Sequence, residues 1–462
     1  MSRCPSLVIA GTHSGAGKTS FTLALARSLA RRGLQIQTFK VGPDFLDPTY
    51  LALASGRPCY NLDGWMSGHD HCHRLFAKTT ADADCALVEG VMGLFDGADA
   101  QSDAGSTAEI ARLLNAPVIL VVNVHGMGRS FAALVKGYTT FQPDLRFMGV
   151  VANHCGSERH AALLSDSLQA AGLPPLLGVI PRGAFPELAS RHLGLVTADR
   201  GQLPESLFDT LADVLERNLP LEALFPKMLT NTVRTAPSPD SGKPCSAPNH
   251  LRIGVARDAA FHFYYQDLFD ALQASGCEIV FFSPLADRRL PEGLSGLYLG
   301  GGYPELHAER LAENGEMLAA IRAYAAFGRP LYAECGGLMY LSRGIEVNDR
   351  FYPFAGILPT RTRMLSGKKA LGYVEVTLTE DSLWGRRGDI LRGHEFHYSE
   401  LIDDAISDPA WRRVYSLRRC RTDKVETEGY QNGAILASYM HLHYASRPEA
   451  VAQFIKRCGG KP

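Results

Sequence analysis

A short glycine-rich segment near the start of the chain constrains the fold more than any other stretch. Residues 11–19 read GTHSGAGKT, between the apolar run Leu7–Ala10 and a segment with helical apolar spacing, residues 20–32. Glycines let backbone N–H groups approach an anion, and the N-terminus of the following helix adds partial positive charge. The order strand, glycine-rich turn, helix therefore predicts a phosphate-binding loop. Its predicted contacts are Gly15, Gly17, Lys18, Thr19 and Ser20.

Two side chains of this loop have predicted roles in binding a nucleoside triphosphate. Lys18 is expected to reach the outer phosphates, and the Thr19 hydroxyl can ligate Mg²⁺. Thr12 stands where the standard pattern places its first glycine, so the match is imperfect. A glycine-rich turn without a ligand is the alternative.

An acidic segment follows at the end of the second predicted strand. Residues 40–48 read KVGPDFLDP, and the carboxyl ends of strands in an open α/β sheet face the ligand crevice. Asp44 and Asp47, close to a lysine, could hold Mg²⁺, position a substrate, or do both. A turn built from proline and aspartate is the structural alternative.

A second acidic segment, residues 88–97, reads VEGVMGLFDG. Glu89 ends an apolar strand, which is where an acid that binds Mg²⁺ is placed in many nucleotide-binding domains. The glycines of the segment suit close approach of the backbone to a ligand. We therefore predict Thr19, Glu89 and Asp96 as the residues that bind Mg²⁺.

The predicted elements alternate along the chain. Through about residue 225, short apolar runs alternate with helical stretches, which predicts a parallel sheet of the P-loop NTPase type with helices on both faces. Residues 229–250 are polar and rich in proline, so we predict a linker there. A second alternating region begins at Arg252–Ala256. We expect an α/β protein with two domains, 1–228 and 251–462.

Composition excludes several classes of partner. The net charge of −1 over 462 residues gives no electrostatic case for binding nucleic acid or an anionic membrane. No apolar run approaches the length of a membrane span, and no leader segment is visible before the first strand. The ten cysteines are scattered without a CxxC pair, which is typical of free thiols in a reducing compartment. We expect a cytoplasmic protein.

The second half contains a candidate nucleophile. Residues 330–339 read PLYAECGGLM, which predicts a strand, a sharp turn at Cys335 and a helix. We expect this helix to lower the pKa of the thiol and the Gly336 N–H to stabilise an oxyanion. Gly301, in the GGGYPE segment 300–305, is the predicted second donor. A buried structural cysteine is the alternative.

Histidines occur in two clusters that lead to different predictions. A cysteine nucleophile needs a base that lies far away in sequence, and residues 438–444, SYMHLHY, offer His441 and His443. Residues 69–73 read HDHCH and suggest a metal site. Neighbouring residues on a helix point in different directions, so we predict a surface helix at 69–73 instead.

The motifs of the second half resemble those of a class I glutamine amidotransferase domain. Residues 300–302 match its oxyanion loop, residues 333–337 its nucleophile turn, and residues 439–441 its C-terminal motif. His441 takes the place of the catalytic histidine. His443 stands where other members carry glutamate, so it could orient His441, or it could only fill space beside the strand.

The first half resembles dethiobiotin synthetase, and the two halves in this order resemble the cobyrinic acid a,c-diamide synthase family. The resemblance covers essentially the whole chain. The supporting motifs are KVGPDFLDP at 40–48, EGVMGLFDG at 89–97, RHLGL at 191–195 and GHEFHYS at 393–399.

The resemblance implies amidation of a tetrapyrrole carboxylate with ATP, Mg²⁺ and L-glutamine. ATP would convert an acetate side chain into an acyl phosphate, which ammonia then attacks. Cys335 and His441 would release this ammonia from glutamine. Asp44, Asp47 and Arg191 would face the acetates or the acyl phosphate. A homodimer is a possible assembly.

Three alternatives stay open at this stage. Asn123 follows a strand where we expect an aspartate in enzymes acting on cobyrinate, which leaves sirohaem and nickel-sirohydrochlorin as other rings. A P-loop switch ATPase with a degenerate amidotransferase domain is a second alternative, and the intact Cys335 and His441 argue against it. An ATP-dependent catalyst acting on an acid that is not a tetrapyrrole, such as a dethiobiotin-like carboxylation catalyst, is the third, and it would leave the second half without a role.

Overall fold

A computed structural model describes most of the chain, and it divides into two compact units, Met1–Pro239 and Asp240–Pro462. The described residues are 3–188, 190–191, 194–195, 204–222, 232–234, 251–367, 369–420 and 424–459. Within them, no helix is long and apolar enough to cross a membrane.

The first unit alternates strands and helices. Its strands are β1 (Arg3–Gly11), β2 (Ile36–Val41), β3 (Tyr60–Leu62), β4 (Cys85–Glu89), β5 (Val118–Asn123), β6 (Phe147–Cys155), β7 (Leu176–Pro181), β8 (Ser190–Arg191), β9 (Gly194–Leu195) and β10 (Thr232–Arg234). Its helices are α1 (Lys18–Arg31), α2 (Asp47–Ser55), α3 (His69–Thr79), α4 (Thr107–Leu113), α5 (Ser130–Phe141), α6 (Glu158–Ala170) and α7 (Glu205–Asn218).

The main sheet of this unit is parallel and buried on both faces. Its strand order is β3-β2-β4-β1-β5-β6-β7, and β10 pairs antiparallel with β1. Alternate residues of β1 enter two different cores: Leu7 and Ile9 pack with α1, α2 and α7, while Val8 and Ala10 pack with α3 to α6. Burial of both faces explains why the strands read as continuous apolar runs.

Local sequence signals set several helix starts. The Ser106 hydroxyl accepts a hydrogen bond from Glu109 N and begins α4, and the Ser157 hydroxyl does the same for α6 through His160 N. α3 includes the HDHCH segment, where the His69 imidazole Nε2 is hydrogen-bonded to the Glu109 carboxylate at 2.7 Å. The helix predicted there is present.

The second unit contains most of the antiparallel structure. Its strands are β11 (Arg252–Ala256), β12 (Glu278–Phe282), β13 (Gly296–Leu299), β14 (Leu331–Glu334), β15 (Gly344–Val347), β16 (Arg350–Pro353), β17 (Thr362–Met364), β18 (Ala370–Leu378), β19 (Ile390–His397), β20 (Ser399–Leu401), β21 (Arg412–Arg419), β22 (Val425–Asn432), β23 (Ile435–Ser438) and β24 (His441–His443). Its α-helices are α8 (Gln266–Ala274), α9 (Ala308–Glu313), α10 (Gly315–Ala326), α11 (Gly336–Leu341) and α12 (Glu449–Arg457), and 3₁₀ turns occur at Pro304–His307, Ala405–Ser407 and Tyr444–Ser446.

A ten-stranded mixed sheet organises this unit. Its order is β12-β11-β13-β14-β23-β22-β21-β18-β19-β24, with parallel pairs from β12 to β23 and antiparallel pairs beyond. A second sheet has the order β16-β15-β17-β20. β14 and β23 end side by side, with Glu334 opposite Ser438. This register brings the turn at Cys335 close to the C-terminal histidine segment.

The predicted α/β class with two domains of this kind is confirmed. The predicted alternation of strands and helices in the first half is present: the apolar run Leu7–Ala10 lies within β1, and the strand predicted to end at Glu89 is β4. The predicted linker 229–250 falls mostly outside the described residues, and its residues 232–234 form β10.

Candidate active site

The phosphate-binding loop has the backbone that its glycines permit. Gly15 and Gly17 have φ values of 84° and 99°, which side-chain-bearing residues rarely adopt. A Cβ on Gly17 would also lie 2.1 Å from the Asn153 amide nitrogen. That amide donates to Ala16 O at 3.0 Å and is buried. Asn153 therefore supports the loop from β6, a role that the motif alone does not reveal.

Lys18 is the buried cation at the start of α1. Its ammonium donates to Met92 O at 2.5 Å and to His13 O at 3.3 Å. Burial, and then the charge of Lys40, lowers the pKa of Lys18 to about 8. An anion beside this ammonium would satisfy the buried charge.

A second buried lysine joins the acidic segments into one cluster, which we call the carboxylate cluster: Thr19, Lys40, Asp47 and Glu89. The Lys40 ammonium lies 2.5 Å from an Asp47 oxygen and 2.8 Å from Glu89 Oε1. The Thr19 hydroxyl donates to the same Glu89 oxygen at 2.8 Å. Burial alone would lower the pKa of Lys40, but Asp47 and Glu89 raise it well above its ordinary value.

Glu89 is the acid best placed for a metal ion. Its side chain is fully buried, and burial, followed by the charge of Asp47, raises its pKa to about 7 in spite of Lys40. Its second oxygen, Oε2, has no hydrogen-bond partner among the described residues. Carboxylate and hydroxyl oxygens are the ligands that Mg²⁺ prefers. The unpaired Glu89 oxygen beside the Thr19 hydroxyl therefore fits a divalent cation.

The remaining predicted residues of this unit occupy different places. Asp96 is exposed, and its Oδ2 accepts a hydrogen bond from Gly93 N at 2.7 Å. Asp44 accepts from Leu46 N and Asp47 N, so it shapes the turn into α2. Burial and the charge of Asp47 raise the pKa of Asp44 to about 6. The side chain of Arg191 falls outside the described part of the structure, which gives only its backbone in β8.

A cavity of about 650 Å³ opens beside the phosphate-binding loop. All five predicted loop contacts line it, together with Asn153 and His154 from the end of β6. Pro181 at the end of β7 and residues 182–183 and 185–188 after it complete the lining. The cavity thus lies at the carboxyl ends of parallel strands, where α/β sheets bind ligands.

In the second unit, Cys335 occupies a strained turn between β14 and α11. Its φ and ψ are 45° and −98°, a combination that side chains disfavour, and its backbone N donates to Ser438 O at 2.8 Å. The thiol is 5% exposed and donates to Phe396 O, with Sγ and oxygen 3.8 Å apart. This is the geometry of a nucleophile elbow.

The prediction that the helix start lowers the pKa of the Cys335 thiol is wrong. Burial raises the pKa of Cys335, the charges of Glu305 and Glu334 raise it further, and the Gly336 N–H lowers it only in part. The sequence showed the helix start but not the burial, which is the largest effect. A thiol of this kind needs a base to remove its proton.

Tight glycine contacts join the elbow to the Gly300–Gly302 loop. A Cβ on Gly336 would lie 3.1 Å from Gly302 N, and one on Gly301 would lie 2.5 Å from the His441 ring. A Cβ on Gly337 would meet Leu299 O at 2.1 Å. The Gly300–Gly302 loop therefore lies against both the elbow and the His441 ring, and a side chain at Gly301 or Gly337 would force these groups apart.

His441 is buried between the elbow and β19. Its ring stacks on that of His394 at 4.9 Å, across the β19–β24 pair. Its Nδ1 lies 3.5 Å from a Glu334 oxygen. In this structure the thiol hydrogen bond goes to Phe396 O rather than to His441. Catalytic hydrogen bonds often form only when substrate is bound.

His443 is also buried, but it faces other partners. Its Nδ1 accepts from Ala445 N at 3.3 Å, and its Nε2 lies 3.6 Å from an Asp267 oxygen. Its ring packs against Tyr265 at 4.6 Å. These contacts anchor the end of β24 to α8.

Sequence reasoning assigned no role to two buried charged residues that the structure places in these sites. Lys40 and Glu334 both lie inside motifs noted from the sequence, one before the first acidic segment and one before the nucleophile. The sequence does contain a signal for both residues: each is a charged residue at the end of an apolar strand, close to a predicted functional residue.

Comparison with known proteins identifies both halves. The family described as CobQ/CobB/MinD/ParA nucleotide binding domain matches residues 7–196, and the family described as CobB/CobQ-like glutamine amidotransferase domain matches residues 252–449.

Curated relatives match the whole chain. A cobyrinate a,c-diamide synthase of Syntrophotalea carbinolica is 54% identical over 99% of each chain, and one of Leptospira interrogans is 42% identical over 99% of each. One of Priestia megaterium is 40% identical over 98% of this chain and 96% of its own. The resemblance inferred from the motifs is confirmed, and the chain belongs to the cobyrinate a,c-diamide synthase family.

Proposed function

We propose that this chain amidates the a and c acetate side chains of cobyrinate, using ATP and the amide nitrogen of L-glutamine. The observation that carries the proposal is the presence of two different candidate sites in a chain that matches cobyrinate a,c-diamide synthases over 99% of its length. One site combines a phosphate-binding loop with the carboxylate cluster, and the other combines Cys335 with His441. Amidation of a carboxylate by glutamine uses both.

The first unit supplies the activation step. A carboxylate is a poor electrophile, and transfer of the γ-phosphoryl group of ATP converts it into an acyl phosphate with a good leaving group. The loop glycines and Lys18 would hold the phosphates, and Lys18 would balance the charge that develops on them. Thr19 and Glu89 would hold Mg²⁺, and Asp96 would contribute from the loop after β4. Mg²⁺ would neutralise charge on the transferred phosphoryl group.

We assign Asp44, Asp47 and Arg191 to the part of the site that faces the acetate side chain or its acyl phosphate. Asp47 is bonded to Lys40 and lies 3.5 Å from the Thr19 hydroxyl, so it is close to the predicted metal ligands. Asp47 would therefore lie near the phosphoryl group that is transferred. Asp44 shapes the preceding turn and holds Asp47 in place through its backbone contacts.

The second unit supplies ammonia. Cys335 would attack the carboxamide carbon of glutamine while His441 takes the thiol proton, and Gly301 and Gly336 would donate to the oxyanion. The C–N bond then breaks, ammonia leaves with the proton from His441, and water hydrolyses the thioester to glutamate. Because ammonia is mostly protonated at neutral pH, we infer that it is used by the first unit before it escapes.

The remaining proposals concern the domain boundaries, the cellular location and the assembly. We assign residues 1–228 to the synthetase domain, 229–250 to a linker and 251–462 to the amidotransferase domain. A cytoplasmic location fits free cysteines and a biosynthetic reaction that consumes ATP. A homodimer is proposed as the assembly to test by light scattering.

The test is product analysis with a panel of tetrapyrroles. Purified protein, ATP, Mg²⁺ and glutamine are incubated separately with cobyrinate, sirohaem and nickel-sirohydrochlorin, and the products are examined by mass spectrometry. Amidation of cobyrinate, with NH₂ in place of OH at the a and c positions, supports the proposal. If another ring is amidated and cobyrinate is not, the proposed substrate is wrong. ATP hydrolysis without amidation of any ring would favour a switch ATPase.

A further inference from the structure

The base of the amidotransferase site lacks the carboxylate that the motif normally supplies. His443 occupies that position, and its nitrogens face Ala445 N and Asp267. A histidine that accepts a proton from a nucleophile works best when a third group fixes its tautomer and stabilises the imidazolium.

Glu334, the residue before the nucleophile, is in position. Its Oε2 lies 3.5 Å from His441 Nδ1, and the two residues are 3% and 1% exposed. We propose that Glu334 is the positioning residue that orients His441 and stabilises its protonated form. This inference rests on the proposed glutaminase role of Cys335 and His441.

With Nδ1 facing Glu334, we assign the thiol proton to the second ring nitrogen, Nε2. Imidazole has two nitrogens, and if Nδ1 carries its proton toward Glu334, Nε2 is the acceptor. The ring edge lies beside Gly301, which adjoins the elbow of Cys335. Transfer of the thiol proton to Nε2 would then create a cation next to a buried anion, a favourable pair in a site with little water.

Three donors hold the Glu334 carboxylate in place. The Tyr332 hydroxyl donates to Oε1 at 2.6 Å, the Tyr298 hydroxyl to Oε2 at 2.7 Å, and Leu442 N to Oε1 at 3.2 Å. Burial, followed by the charge of Glu334, raises the pKa of both tyrosines well above the ordinary value, so the phenols remain donors. Because Leu442 adjoins His441, the same carboxylate holds the main chain beside the base and lies 3.5 Å from its ring nitrogen.

The stacked neighbour does not compete for this role. His394 packs face to face on His441, and its Nδ1 is hydrogen-bonded to the Tyr265 hydroxyl at 3.1 Å. Burial and the neighbouring histidines lower the pKa of His394 well below its ordinary value, so its ring stays neutral. Glu334 is thus the group we assign to His441, with its carboxylate 3.5 Å from the ring nitrogen.

The first experiment compares E334Q with Y332F in the full chain. In E334Q, kcat for glutamine hydrolysis should fall about 100-fold or more, as for other groups that act through a general base, while KM for glutamine changes less than about threefold. Y332F removes one donor and leaves the carboxylate, so its loss should stay below about tenfold. Amidation with ammonia monitors the first unit in both variants.

A loss of this size in E334Q, with KM retained and the thermal midpoint close to wild type, supports the proposal. Retention of more than about a third of wild-type kcat overturns it. Equal losses in E334Q and Y332F, together with lowered thermal midpoints, show a structural carboxylate instead. The C335S variant tests the glutaminase role of Cys335 separately from the positioning role of Glu334. If C335S keeps glutamine hydrolysis, the proposed function of this site is wrong, whatever the result for E334Q.

A spectroscopic measurement on the wild-type chain keeps the test decisive if E334Q does not fold. Nitrogen-15 labelling of histidine, with the His441 signals assigned by their absence in H441A, reports which ring nitrogen carries the proton. The proposal requires a neutral ring protonated on Nδ1. A ring protonated on Nε2 overturns it.

Discussion

Replacing Glu89 by glutamine should abolish synthesis and at the same time stabilise the folded chain. Glu89 is fully buried, and burial and Asp47 raise its pKa from 4.5 to about 7. The folded state therefore holds this proton more tightly than the unfolded chain, and stability is lost as pH rises from about 4.5 through about 7. At about 1.4 kcal/mol for each pH unit, the ionised carboxylate costs about 3 kcal/mol above pH 7.

The gain in the variant will be smaller than this cost. Glutamine oxygen can still accept from Thr19 and Lys40, but its NH₂ would lie where Glu89 Oε2 has no partner. An unsatisfied buried donor costs about 1–3 kcal/mol. We therefore expect E89Q to be more stable than wild type at pH 8 by about 1 kcal/mol. At pH 5 the folded wild type keeps the Glu89 proton and no longer has this cost, so E89Q should be the less stable of the two.

D47N is the matched control, because both carboxylates bind Lys40 and their pKa values move in opposite directions. Burial alone would raise the pKa of Asp47, but Lys40 overrides burial and lowers it. Its contribution to stability is therefore present at neutral pH and lost on acidification, so D47N should be destabilised at pH 8.

Urea denaturation of the full chain at pH 5 and pH 8, followed by a probe of the first unit, measures both variants. If E89Q is destabilised at pH 8 to the same extent as D47N, the ionised Glu89 carboxylate does not lower the stability of the folded chain and the prediction is wrong. In parallel, E89Q should lose amidation with glutamine and with ammonia, because its metal ligand is neutral.

Three further predictions concern single residues. C335S should lose glutamine-dependent amidation and keep ammonia-dependent amidation, and equal loss with both nitrogen sources would show that Cys335 is structural. K18A should lose synthesis with either source by about 10²–10³-fold, or 3–4 kcal/mol, because charge on the phosphates is uncompensated; near-normal ammonia-dependent turnover would contradict the nucleotide assignment. H441A should suppress glutamine hydrolysis about as strongly as C335S, whereas H443A should have a smaller effect, since His443 contacts Asp267 and Ala445. If H443A is the inactive variant, the base must be reassigned.

Elements carrying strong motifs could be predicted from the sequence. The phosphate-binding loop, the strand ending at Glu89 and the elbow at Cys335 combine periodic apolar runs with glycines at fixed spacing. Their local chemistry determines their local structure. The same holds for α4, where Ser106 supplies the N-terminal cap.

Contacts that depend on sheet register could not be predicted in this way. Lys40 and Glu89 meet because β2 and β4 pair with these two residues side by side. His441 and His394 are brought opposite each other in the same manner by β24 and β19. Register depends on how whole strands pack, and no local motif encodes it.

The burial of individual side chains could not be predicted from the sequence either. The start of α11 at Gly336 suggested a lowered thiol pKa, but the surrounding core raises it. Similarly, the sequence offered His443 as the partner of His441, because it occupies the motif position. The structure places a buried carboxylate, that of Glu334 at the end of β14, 3.5 Å from His441 Nδ1.

We expect one chain to couple ATP-dependent activation of a carboxylate to transfer of the glutamine amide. Incubation of the protein with cobyrinate, ATP, Mg²⁺ and glutamine labelled with nitrogen-15 in its amide tests this most directly. The account predicts that the a and c amides of the product carry the label and that each amide formed is accompanied by one ADP and one phosphate. An unlabelled product, or ADP and glutamate released without amide formation, would contradict it.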